Sequence, residues 1–333
     1  MSVLTATVAS VTDAAVPELV FTGLDPDPQR DVVYKAFFEA DPRGDRAAKI
    51  FRETFDQLYD GQRTGRFRWE QLFKTEKTHF GTLLEINLRR AFDDVIDDGH
   101  HLDYRVSGED IDCKYSQKSG GWMLPPECFG HLLLVATAND ERGTWSLGIV
   151  RATDANRRTS KNRDGKTSLG PRGQSQIAWL HKDAPLPPNV LLGIDATTLN
   201  AILSAPGKGQ GRVNELFRRV TNTRIGRNTI ATLAQQSDYM ARVRDNGHGA
   251  RTVLREEGYL IPGDYDPHRQ VAKALGAEQP DRGEVVSLRV VPAAPDDSWS
   301  VELDGRRWRL AQPGEAVVEP APRLPSTKKP VTS

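Results

Sequence analysis

Three residues near the middle of the chain have the types and spacing needed to hydrolyse a phosphodiester. Asp112 and Lys114 stand two apart in Asp110-Ile111-Asp112-Cys113-Lys114-Tyr115, and Asp103 precedes them across a short turn. Such hydrolysis needs a divalent cation on the scissile phosphate, a water deprotonated beside it, and charge to offset the transition state. Magnesium takes oxygen ligands and keeps several waters, so one to three carboxylates suffice, with Mg2+ as the expected cofactor. Asp103 and Asp112 are the candidate metal ligands. Lys114 is the candidate group that holds the water or the phosphate. Glu85, on the preceding helical stretch, is a further ligand or orienting group. The pattern Asp…Asp-x-Lys is the nuclease arrangement written PD-(D/E)xK. A D-x-K triplet alone is a weak signal, because it equally describes a solvated strand face.

These residues need a hairpin to hold them. Residues 101–117 predict one, with its turn at Ser107-Gly108-Glu109 and Asp103 on the first strand. On the second strand Ile111, Cys113 and Tyr115 point to one face, and Asp112 and Lys114 to the other. Cys113 is then a buried small hydrophobe and no nucleophile. The run HLLLVATA at 131–138 predicts a buried central strand, and 145–152 another. A helical stretch is expected over 29–59. A long amphipathic helix is expected over 69–94, with a break allowed at 78–81 and apolar positions at Leu84, Leu88 and Phe92. His79 beside Glu85 reads as structural. Trp122 and Met123 read as core packing, with a role in shaping the site as the alternative.

The chain has 333 residues, enough for about two domains. Lys plus Arg and Asp plus Glu number 45 each, so net charge names no partner. Local charge does: 157–182 carries seven basic residues against one acid, and 205–255 ten against three. Residues 156–172 read as a mobile basic loop that orders on DNA. Two cysteines, Cys113 and Cys128, form neither a metal motif nor a disulfide framework. No signal peptide and no membrane-length apolar run is seen, which predicts a soluble, cytoplasmic protein with no membrane partner.

The expected order is a flexible arm at 1–24, an α/β catalytic domain at 25–182, a proline-rich linker at 183–189, a second domain at 190–318 and a disordered tail at 319–333. In the second domain, helical patterns at 213–220 and 226–235 joined by Thr221-Asn222-Thr223-Arg224 read as a helix-turn-helix. Arg224, Arg227, Asn228 and Thr229 then lie at the start of the second helix. Arg218 and Arg219, at the end of the first, join them as candidate DNA contacts. Arginine forks match guanine, which suits a GC-rich site; a solvated basic helix pair explains the same residues. Residues 253–262 are expected to form a strand pair or wing, with Gly247-His248-Gly249 as a wing tip. Lys208-Gly209-Gln210-Gly211 reads as a flexible basic loop touching the DNA backbone.

Long segments of the chain resemble the NaeI-type restriction endonucleases: 54–66 (TFDQLYDGQRTGR), 74–79 (KTEKTH), 85–88 (EINL), 112–114 (DCK), 122–127 (WMLPPE), 212–220 (RVNELFRRV) and 230–232 (IAT). The similarity spans about residues 45–320. It implies a restriction-endonuclease-like mixed sheet flanked by helices, with Glu85, Asp103, Asp112 and Lys114 as the active site. It further implies a C-terminal helix-turn-helix or winged-helix-like α+β domain that binds a second DNA copy. A homodimer would cut a GCCGGC-like palindrome, activated by a second site, with a cognate DNA methyltransferase as a partner in the same system. Leu58-Tyr59-Asp60-Gly61 is similar to the Lys-x-Asp-Gly motif of DNA ligases, but Leu58 fills the lysine slot and cannot attack phosphorus. A helix end capped by Gly61 is the plainer reading. Two rival functions remain: a DNA-binding regulator with an inactive nuclease domain, and a nicking-closing enzyme.

Overall fold

The computed structural model describes residues 21–326. The arm expected at 1–24 lies mostly outside them. The chain divides into two compact units, one of residues 1–58 and 68–188, the other of residues 59–67 and 189–333.

The first unit begins with α1 (Pro28–Ala40). Its N-cap, Asp27, accepts from the Arg30 amide at 3.1 Å, and Pro28 fills the first helical position. The expected helix over 29–59 is two helices. Pro42 cannot continue α1, Gly44 takes φ +74°, and the Asp41 carboxylate caps α2 (Asp45–Tyr59) through the amides of Arg46 and Ala47. After α3 (Gly61–Thr64), which packs in the second unit, comes α4 (Lys74–Ala91). The expected long helix is thus shorter at its start. It runs unbroken through 78–81 and is capped by the Glu76 carboxylate on the Phe73 amide at 2.8 Å. Phe80, Leu84 and Leu88, spaced by four, are fully buried.

The sheet follows: β1 (Asp97–Asp98), β2 (Tyr104–Val106), β3 (Glu109–Tyr115), β4 (Leu132–Asn139), β5 (Thr144–Arg151), and, after the short α5 (Pro171–Ser175), β6 (Ala178–Pro185). These six strands pair in sequence order. All neighbours are antiparallel except β3 and β4, which run parallel. The first unit is therefore a mixed α/β sheet flanked by helices. Strand β4 is buried along all but its last residue, as its apolar run requires. Strand β6 occupies the first part of the expected linker, because 178–185 pairs with β5.

The second unit contains α6 (Val190–Gly193), α7 (Ala196–Leu203), α8 (Lys208–Arg219), β7 (Arg224–Gly226), α9 (Arg227–Ala234), α10 (Ala250–Val253), β8 (Tyr259–Leu260), α11 (Asp266–Ala274), β9 (Glu284–Val286), β10 (Leu288–Pro292), β11 (Val301–Leu303) and β12 (Arg306–Leu310). Four strands pair in the order β11, β12, β10, β8, and β7 pairs with β9. The strand pair expected at 253–262 is instead a helical turn ending at Gly258 (φ +84°), followed by two-residue β8. Gly247-His248-Gly249 leads into α10 and tips no hairpin. Lys208-Gly209-Gln210-Gly211 is the first turn of α8 and not a flexible loop. A Cβ at Gly209 would meet the Ala234 carbonyl oxygen at 2.2 Å, so that glycine lets α8 and α9 approach.

The tail expected to be disordered from Glu319 instead packs as far as Ser326. Ala321 joins the core beside Trp308 and Leu288, and Glu319 pairs with Arg306 at 2.7 Å. Residues 327–333 lie outside the described residues. Among the described residues, no helix is long and apolar enough to cross a membrane.

Candidate active site

The hairpin of β2 and β3 positions the reactive residues. Val106 pairs with Glu109, leaving a two-residue turn of Ser107 (φ +51°) and Gly108 (φ +89°). Left-handed conformation at both positions matches the right-handed twist of the flanking strands. The turn fixes register, and register fixes faces. Ile111 and Cys113 are buried, and Asp112 and Lys114 share the opposite face.

Asp103 does not lie on the first strand; it stands one residue before β2. The ladder stops at the Tyr104–Ile111 pair, and beyond it the Asp103 Oδ2 atom accepts the Cys113 amide at 2.8 Å. The carboxylate replaces the missing strand partner, and this bond holds Asp103 beside the other two residues. Lys114 Nζ lies 2.6 Å from Asp112 Oδ2 and 3.8 Å from Asp103 Oδ2. It also donates to the Cys113 carbonyl at 3.1 Å. Two carboxylates and one ammonium group thus converge.

Helix α4 brings Glu85. Phe80 stacks on Tyr115 of β3 with ring centroids 4.3 Å apart, which seats the helix over the hairpin. Tyr104, fully buried, donates its hydroxyl to the Glu85 carbonyl at 2.7 Å and ties β2 to the helix one turn further on. Tyr104 is a positioning residue absent from the sequence reading. Its only local signal is that it shares the inward face of β2 with Val106.

Electrostatics define the site further. Burial drives the proton affinity of Asp112 up, against the pull of Lys114, and its pKa stands at about 6. Glu85 is raised as well, first by burial and then by Asp103, with Lys114 opposing. Burial lowers the proton affinity of Lys114, but Asp112 and Asp103 outweigh it, so the group is held as an ammonium. Asp112 Oδ2 is buried with no aligned hydrogen-bond donor. The 2.6 Å approach of Lys114 is an ion pair by distance without hydrogen-bond direction. With Lys114 as its charge partner, buried Asp112 stands beside Asp103 and Glu85 in an acid-rich cluster of oxygen donors, whose chemistry fits a divalent cation. Among the described residues no three His, Cys, Asp or Glu side chains already form a metal cage.

Other candidates separate clearly. His79 is exposed. Trp122 is fully buried and donates its indole N–H to the Ala136 carbonyl at 2.9 Å, whereas Met123, expected in the core, is 44% exposed. Cys113 is buried and its thiol is driven up, first by burial, which leaves it inert at neutral pH. In the ligase-like motif Asp60, not Gly61, takes the left-handed conformation (φ +46°). Gly61 serves a different need: a Cβ there would meet Thr232 Oγ1 of α9 at 2.1 Å.

In the second unit, α8 and α9 flank a turn that contains strand β7, and Arg224 lies on that strand, before the second helix. The candidate arginines are already paired. Arg218 meets Glu257 at 2.7 Å and Arg219 meets Glu215 at 2.6 Å. Arg224 meets Glu284 at 2.5 Å, and Arg227 lies 3.7 Å from Asp264. Asn228 and Thr229 are half-buried on the first turn of α9.

The family model described as restriction endonuclease NaeI matches residues 31–319. The type II restriction enzyme NaeI of Lentzea aerocolonigenes is 47% identical over 315 residues, covering 92% of this chain and 98% of that protein. The chain belongs to the NaeI family of restriction endonucleases, and so to the site-specific deoxyribonucleases.

Proposed function

We propose that the first unit cuts both strands of a palindromic, GCCGGC-like DNA site by Mg2+-dependent hydrolysis at Glu85, Asp103, Asp112 and Lys114. The observation that carries this reading is the convergence of Asp103 and buried Asp112 on Lys114. Glu85, Asp103 and Asp112 would hold the metal, which when bound polarises the phosphate and lowers the pKa of water. Lys114, kept protonated by its two acids, orients the attacking water and offsets negative charge on the pentavalent phosphorus. Asp103, fixed by the Cys113 amide, keeps the ammonium group from swinging away. Glu85 supports the cluster from α4.

The second unit is assigned the binding of a further DNA copy through α8 and α9, with Arg218, Arg219, Arg224, Arg227, Asn228 and Thr229 as contacts. Ion-paired arginines there must exchange carboxylates for phosphates or bases, which makes that contact selective rather than merely adhesive. A homodimer, whose two-fold axis would match a palindromic target, activation by a second site and a companion DNA methyltransferase complete the proposal.

Incubating supercoiled plasmid with the purified protein, with and without Mg2+, tests the reading. Discrete double-strand fragments with one terminal sequence, formed only with the metal, are expected. Bound but uncut DNA would assign a regulator, and relaxed closed circles a nicking-closing enzyme; either result contradicts the proposal.

A further inference from the structure

The basic segment expected to be a mobile loop is a built hairpin. The Arg158 amide donates to the Ser168 carbonyl at 2.8 Å, and Asn162 donates to Lys166 at 2.8 Å. The Asn162 side chain closes the tip by accepting from the amides of Asp164 and Lys166. The hydroxyl of buried Thr167 lies 2.8 Å from the carbonyl oxygens of both Arg158 and Ser160, which share its one hydrogen. Thr167 and Leu124 exchange both backbone bonds, which ties the hairpin to the body. Such a segment has already lost the entropy that a disordered loop would lose on binding.

Its charge is not compensated. Arg158, Lys161, Arg163 and Lys166 are exposed, and none forms an ion pair among the described residues. Arg157, by contrast, is paired with Asp154 and lies over the Phe129 ring at 4.1 Å. In the second unit, exposed Arg219 and Arg224 carry carboxylate partners. Four basic side chains against one acid, Asp164, make the tip a locally positive surface that a polyanion would meet favourably.

The foot of this hairpin is continuous with the acidic site. Leu124 and Leu169 pack in one core cluster with Leu133 and Val135. Those two β4 residues are the register partners of Asp112 and Lys114 on β3.

We propose that hairpin 157–169 is a preformed clamp for the sugar–phosphate backbone of the duplex beside the acidic site, supplying affinity without reading bases. The proposal rests on the nuclease reading for its partner. Phosphate contacts fix position and carry no sequence information, and each neutralised phosphate steepens the dependence of binding on salt.

The test replaces all four cations in the full chain (Arg158→Gln, Lys161→Gln, Arg163→Gln, Lys166→Gln). Binding to a GCCGGC duplex and to an unrelated duplex is measured without divalent metal over a range of salt. The log–log salt slope should fall by about 3 to 4 for each protomer bound, and both duplexes should weaken alike. An unchanged slope makes the hairpin a solvated face and overturns the clamp. A loss confined to the GCCGGC duplex makes it a base reader and overturns it too. The paired variant Arg158→Lys with Arg163→Lys keeps the charge and should keep the slope; a slope that falls in this variant contradicts a phosphate clamp. The nuclease reading fails separately, if Asp112→Asn still cuts plasmid, whatever the salt slope.

Discussion

Lys114 is the residue whose chemistry is best defined by its surroundings. It lies 2.6 Å from Asp112 and 3.8 Å from Asp103, and both carboxylates favour its charged form. A group held protonated is suited to donating hydrogen bonds and offsetting charge rather than to removing a proton. Lys114→Ala should therefore lower the single-turnover cleavage rate by about 10²–10³ or more, as expected for loss of a preorganised donor. Glu85→Gln should cost less, because it leaves the pair on β3 intact. In the metal-free protein Asp112 takes up a proton as pH falls through about 6, so Mg2+ should bind more weakly below that pH, in competition with the proton. A Mg2+ affinity that is the same at pH 7 and pH 5 would remove Asp112 from the metal site. A second residue-scale prediction concerns structure alone. Arg52 and Asp140 form a buried ion pair, with Asp140 7% exposed. Asp140→Ala removes that partner but leaves Asp56 at 2.8 Å from the guanidinium, and should destabilise the first unit by about 1–3 kcal/mol, read by denaturant unfolding.

At the scale of elements, packing of α4 on the hairpin sets the position of Glu85. Leu84 is fully buried next to it in sequence. Leu84→Ala should cost about 2–5 kcal/mol and also lower cleavage, since the helix would settle into the cavity. The reported free energy comes from equilibrium unfolding, and the rate from the folded fraction at low temperature. In the second unit α3 and α9 meet at Gly61 and Thr232, where an added methyl group would lie 2.1 Å from Oγ1. Gly61→Ala should destabilise that unit by about 1–3 kcal/mol, and adding Thr232→Ala should recover part of the loss. Full additivity in this double-mutant cycle would show that the two residues do not touch.

These elements also show which features the sequence disclosed. The β2–β3 hairpin was legible because its signals are local: alternating side chains and two adjacent residues suited to left-handed backbone. Strand β4 was legible from its apolar run. The break between α1 and α2 was missed although Pro42 and Gly44 mark it, because the helical pattern on both sides masked it. Three other features depend on partners far along the chain. Asp103 reaches its place through the Cys113 amide, Tyr104 through the Glu85 carbonyl 19 residues away, and the basic hairpin through Leu124. No periodicity reports such contacts. The glycines at 61 and 209 likewise read as turn formers, and only the neighbouring α9 shows that they are close-approach sites.

On the scale of the whole molecule, the chain builds two units by a discontinuous path: residues 59–67 leave the first unit to join the second. Each has its own core and should have its own stability. The second unit carries a buried histidine, His268, whose Nδ1 accepts the Gly263 amide at 3.1 Å while Nε2 faces the Pro325 carbonyl at 3.2 Å. That pattern suits the neutral ring. Burial, with Arg251 adding, lowers its pKa to about 4. The unfolded chain binds this proton near pH 6.5 and the folded unit does not. Stability from this group is therefore present above pH 6.5 and is lost as pH falls toward 4, by roughly 2–3 kcal/mol. His268→Gln should flatten that part of the melting-temperature profile. An unchanged profile would place the loss elsewhere.

On the proposed reading, one short hairpin gives this restriction endonuclease its cutting chemistry through a metal and an ammonium group. The most direct measurement compares wild type and Lys114→Ala on the same site-bearing plasmid, with Mg2+, at saturating protein, with DNA binding recorded in parallel. The account predicts rapid double-strand cleavage by the wild type, and bound but essentially uncut plasmid with the variant. Wild-type turnover in the Lys114→Ala protein, or equal cleavage with the metal chelated, would contradict it.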